Sequence, residues 1–135
     1  MEQAYEVYKW QNEVFEDRGD EFTRKQAQTF CDSLNIPVVV EDIPDFEVVI
    51  YRRIGRFCRD TLTVGIAPGW YQWHNFLHEL AHHLVRGPHN YHGPRWIEMF
   101  VKLLVLFAGY DEYKLWESMK EYNRLHVEFA KWEEQ

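Results

Sequence analysis

The stretch "HNFLHELAHHLVRGPHNYHGPRW", from His74 to Trp96, holds six of the chain's seven histidines. On a helix, residues four apart lie on one face, so His78 and His82 can aim both imidazoles at one point. That spacing suits two ligands of a tetrahedral zinc ion, each about 2.0–2.1 Å from the metal. Glu79 projects beside the pair, where its carboxylate could take a proton from a metal-held water without being a ligand itself. The H-E-x-x-H spacing therefore points to metal-assisted hydrolysis, and imidazole donors suit Zn2+, though nickel, cobalt or iron would accept them too.

A catalytic zinc site wants a third protein ligand and one open position. His92 is the favoured donor, because the intervening loop, broken by Gly87, Pro88, Gly93 and Pro94, can double back towards the metal. His89 and Glu98 are the alternatives. Other residues here have plainer readings. His74 shares the face of His78 and could support it or simply pack. His83 points about 100° away from His82 and reads as a packing or surface residue, as does His126. Tyr91 and Tyr110 could donate to an oxyanion. Trp70, Tyr71 and Trp73 read as packing for the helix start.

"HELAHHL" followed by "HGPRW" resembles the SprT-like zincin pattern, in which H-E-x-x-H is completed by a histidine in an H-G-x-x-aromatic segment. It is similar still more closely to a family of small metallohydrolases of actinobacteria and their phages. The likeness covers roughly residues 38 to 107. It implies zinc at His78, His82 and His92, Glu79 as general base, and a zincin half-domain with a short sheet beside the active-site helix. Arg95 and Trp96 stand where the family's H-G-P-E-F form has Glu and Phe. Trp96 keeps an apolar anchor, and Arg95 changes the charge.

The elements that must position these residues follow from periodicity. "EQAYEVYKWQNEVFE" spaces Tyr5, Tyr8, Val14 and Phe15 as a helical face, and "TRKQAQTFCDSLN" resumes helix with Thr23 as N-cap. "IPVVVED", "DFEVVIYRR" and "DTLTVGIAP" are short β-branched runs between Pro, Gly and Asp, and read as three strands. From Tyr71 to about Val85 the helical period returns, with Phe76, Leu77, Leu80, Ala81 and Leu84 as the buried face. Pro94 suits a first helical residue before "RWIEMFVKLLVLF". "DEYKLWESMKEYNRLHVEFAKW" reads as one further amphipathic packing helix. The expectation is a single α+β domain over residues 1–135: N-terminal helices, a small three-stranded sheet, the active-site helix and two packing helices.

Composition narrows the function classes. The chain has 135 residues, 46% hydrophobic and 17% aromatic, which is a globular composition. No apolar run approaches the roughly 18–20 residues that cross a bilayer, and the start lacks a signal-peptide pattern. Cys31 and Cys58 make no disulfide framework, so two reduced thiols in a cytoplasmic protein are expected. A net charge of −7 argues against general adhesion to nucleic acid. The local "YRRIGRFCRD" patch, with Arg52, Arg53, Arg56 and Arg59, reads as a hairpin whose arginines balance the acidic surface.

Together these features point to a zinc hydrolase acting on a peptide or protein substrate. An exposed edge of the small sheet, for instance "DTLTVGIAP", could hold an extended peptide by strand addition. A zinc-stabilised binding or regulatory module without chemistry, or a hydrolase of a non-peptide amide, are the alternative readings.

Overall fold

The computed structural model describes residues 2–15, 19–85 and 92–135. Among the described residues the architecture is α+β, with seven α-helices and a three-stranded sheet. The chain groups into two compact units, Arg18–Leu84 and Met1–Asp17 with Val85–Gln135. No helix among the described residues is long and apolar enough to cross a membrane.

In the first unit α2 (Arg24–Ser33) opens with the expected cap. Thr23 Oγ1 accepts from Gln26 N–H at 3.0 Å and Gln26 Oε1 accepts from Thr23 N–H at 2.8 Å, a reciprocal capping box. Then come β1 (Val39–Asp42), α3 (Asp45–Tyr51), β2 (Gly55–Cys58), β3 (Thr63–Ile66) and α4 (Trp73–Leu84). The sheet order is β1-β3-β2, with β1 parallel and β2 antiparallel to the central β3. Phe76 of α4 is fully buried, with the rings of Phe22, Phe30 and Trp73 against it. Leu77, Leu80 and Ala81 complete the buried face and Leu84 is half-buried, so the apolar period of this segment places it as expected.

Two of the expected strands form, and the third does not. "DFEVVIY" is the helix α3. Pro44 at its N-cap and the acids Asp45 and Glu47 in the first turn favour a helix start, and Arg52 ends it at φ 53°. Two of its three β-branched residues stay exposed, Val49 at 76% and Ile50 at 67%. The third strand is instead "GRFC", inside the arginine-rich segment, which fills the second side of β3 and leaves no place for α3 in the sheet.

The same order removes β3 as a peptide-holding edge, because both its neighbours are paired. The outer edge of β1 is also occupied. Gln28 of α2 accepts from the Val40 N–H at 2.8 Å and donates to the Val38 carbonyl at 3.0 Å, taking the place of a further strand. Gln28→Ala leaves the buried Val40 amide without its acceptor. It should cost about 1–3 kcal/mol and raise the hydrogen-exchange rate of that amide; an unchanged rate would show the edge is protected otherwise.

The second unit holds α1 (Glu2–Val14), α5 (Pro94–Ala108), α6 (Glu112–Ser118) and α7 (Asn123–Glu133). Pro94 starts α5 after the N-cap Gly93, and Gly109, at φ 75°, ends it. Trp10 is fully buried against Phe15 and Phe100, and its indole N–H donates to Ser118 Oγ at 2.8 Å. The C-terminal segment is not one helix. A 3-10 turn, Met119–Glu121, and the extended Tyr122 (φ −114°, ψ 120°) break it. Met119 is thereby fully buried and the Tyr122 hydroxyl donates to Glu13 Oε2 at 2.8 Å, contacts that outweigh the unbroken helical period.

Candidate metal centre

His78 and His82 stand one turn apart on α4, with ring centroids 5.3 Å apart. His92 precedes Gly93, the N-cap of α5. Trp96, in the first turn of that helix, sets its ring 4.5 Å from the His92 ring, with Tyr8 of α1 on His92 at 5.2 Å. Trp96 is itself stacked on Phe100 and only 1% exposed, so the apolar anchor expected after the H-G-P segment holds the imidazole's orientation. His78, His82 and His92 each offer a ligand atom, and these atoms all lie within 4.8 Å of one another. Three neutral imidazoles about 2.1 Å from a common centre fit that spacing with small side-chain rotations. The group can therefore hold a metal ion.

Glu79 is buried and its Oε2 lies 3.9 Å from His78 Nε2, yet it is not part of the ligand group. Burial pushes its carboxyl up to about 8, with the Arg53 guanidinium pulling the other way. Gly55 of β2 makes room for this carboxylate. A Cβ there would meet Glu79 Oε2 at 2.8 Å and its Cδ and Cγ at 3.3 Å. Gly55→Ala should therefore cost about 1–3 kcal/mol by overpacking. In a Glu79→Ala background that cost should largely vanish, which urea titrations of the four chains would read as a coupling energy. Additive costs would mean that the two residues do not press on each other.

Arginines 53, 56 and 59 work inside this unit. Arg56 pairs with Glu41 at 2.7 Å and with Glu47 at 3.3 Å, and Arg53 pairs with Glu47 at 3.3 Å. Arg59 donates to the His82 carbonyl at 2.7 Å, securing the last turn of the ligand helix where a cation also suits the helix dipole. Its guanidinium lies 5.2 Å from the Phe57 ring, which in turn meets the His83 ring at 5.6 Å.

Of the other residues singled out in the sequence, Glu98 is exposed on α5 and lies outside the ligand group. His89 and Tyr91 fall outside the described residues. His74 and His83 are buried, and His126 is exposed on α7. Tyr110 packs edge-on against Phe15, while Tyr71 donates to Asp42 at 2.6 Å and Trp73 packs on Phe22 and Phe30, as helix-start packing requires. Arg53 and Arg59 belong to the arginine patch of the sequence, which does not show that one faces Glu79 and the other holds the His82 carbonyl. Gly55 has no role in the sequence analysis, although a glycine within a strand is a signal of close approach.

Comparison with known proteins gave no match: no family model, curated protein or solved structure is significantly similar to the chain.

Proposed function

We propose that this chain is a zinc-dependent hydrolase of the SprT-like, zincin kind, most simply a metallopeptidase. One observation carries the reading: three histidine donors share a metal-sized group while a buried carboxylate, Glu79, sits beside them without joining it. A purely structural zinc site closes with four protein ligands and has no use for such a base. Among the described residues the group has three.

Bound by these imidazoles, a zinc ion would supply Lewis acidity, polarising a carbonyl and lowering the pKa of water. His78, His82 and His92 would hold and orient it. Glu79 accepts the proton released by the attacking water and returns it to the leaving amine. Gly55 keeps that carboxylate in place, and burial among α4 and β2 makes it a stronger base than an exposed glutamate.

A peptide substrate is favoured by the position of β2 at the end of the sheet, where no further strand among the described residues pairs with it. Ala67 N–H donates to the Ile54 carbonyl at 2.8 Å, which makes that pair a hydrogen-bonded one. The antiparallel alternation then turns the N–H and C=O of Gly55 and Phe57 away from β3. An extended chain pairing there would run beside Glu79.

The test is a digest. The zinc-loaded chain is incubated with an unfolded protein and a mixture of acetylated peptides, and the products are read by mass spectrometry. Cleavage that is abolished by a chelator and restored by zinc is the expected result. One zinc per chain with no cleavage of any amide would reject the hydrolase and leave the binding module.

A further inference from the structure

A second site lies away from the histidines, among α5, α6 and α7. These helices line a half-open cavity of about 400 Å³, within the size range of small-ligand sites. Trp116 and Trp132 line it and stack on each other, with centroids 5.7 Å apart and planes 13° from parallel. Three carboxylates, Glu98, Glu112 and Glu128, also line it, with the exposed Lys102 as the cation on the wall.

Glu128 makes this more than an acidic surface. The residue is only 6% exposed. Its partner among the described residues is Lys131 Nζ, itself exposed, at 3.6 Å. That distance is too long for a hydrogen bond, and an exposed lysine is a weak counter-ion. The ion pair with Lys131 leaves this carboxylate able to accept a shorter, better-aligned bond from a donor entering the cavity. The three acids do not converge on a point, since the histidine trio is the metal-sized group found among the described residues. Negative charge spread around an aromatic-walled cavity suits an extended organic cation better than a metal ion.

We propose that this cavity binds a guanidinium or ammonium group carried on an aliphatic stem. The cation donates to Glu128, Glu98 and Glu112 add attraction at the mouth, and the stem lies along the half-exposed Trp132. An arginine or lysine side chain of a peptide and a free amine share this chemistry. The proposal is independent of the hydrolase reading.

Calorimetric titration of the full chain with N-acetyl-arginine amide tests it, with N-acetyl-citrulline amide as the uncharged isostere and agmatine as a free amine. One saturable site is expected for the arginine probe, with binding at least about tenfold weaker for citrulline. Glu128→Gln should weaken arginine binding by a similar factor without lowering Tm, and Glu98→Gln, at an exposed position, should weaken it by about twofold to threefold. His82→Ala should leave it unchanged, which separates this site from the metal centre. Agmatine binding as tightly as the arginine probe assigns the site to free amines; weaker agmatine binding assigns it to peptide side chains. Equal binding of arginine and citrulline, an arginine affinity unaltered by both glutamate substitutions, or no saturation by about 10 mM of either cation overturns the proposal.

Discussion

Glu79→Gln is expected to keep wild-type metal content, lower hydrolysis about 10²–10⁴-fold and stabilise the metal-free chain at alkaline pH. The amide keeps the shape of the carboxylate over Gly55 but cannot accept the proton. The stability effect follows from burial, which pushes the Glu79 carboxyl up to about 8. Below the ordinary carboxylate range the group is protonated in both folded and unfolded chains and costs nothing extra. As pH rises towards 8 the unfolded chain has released the proton that the fold still holds, so stability falls, by up to about 1.4 kcal/mol per pH unit. Glutamine removes that slope. Zinc should also flatten it in the wild type, because a cation near His78 favours the ionised carboxylate. Chemical denaturation from pH 5 to 9, with and without zinc, reads all of this. A metal-free wild type as stable at pH 8.5 as at pH 5 would contradict the burial argument, and full hydrolysis by the glutamine variant would remove Glu79 from the chemistry.

His92→Ala is expected to weaken zinc binding by well over about 100-fold, because even residues that merely support a ligand cost about 10–100-fold when lost. His78→Ala and His82→Ala should do the same. Glu98→Ala should have no effect, since its side chain lines the cavity among α5, α6 and α7. Competition with a zinc chelator of known affinity provides the measurement. His92 also packs against Trp96 and Tyr8, so the metal-free Tm of each variant must be compared to separate lost packing from lost coordination. His92→Ala retaining wild-type affinity while His89→Ala loses it would transfer the third position to His89.

Much of this site is local and could be read from the chain alone. The four-residue spacing of His78 and His82, with Phe76, Leu77, Leu80 and Ala81 on the buried face, depends only on helical geometry. The Thr23–Gln26 box and Pro94 at the head of α5 are local as well, because a cap is satisfied within one turn. The choice of the third strand was not local. "DFEVVIY" has the β-branched residues of a strand and "GRFC" does not, yet the latter pairs with β3, since Gly55 there leaves space for the Glu79 side chain.

The helical break at Tyr122 and the plugging of the β1 edge by Gln28 likewise come from contacts distant in sequence, to Glu13 and to Val38 and Val40. Residue types and short spacings thus determined the side chains on offer: two imidazoles, a carboxylate and a third histidine near a helix start. Tertiary structure alone decided that His92 comes within reach of the other two, that Glu79 is buried rather than solvated, and that β2 lies at the end of the sheet. The reason is physical. Spacing along one helix fixes which side chains share a face, whereas burial and the approach of remote segments depend on what the rest of the chain leaves unfilled.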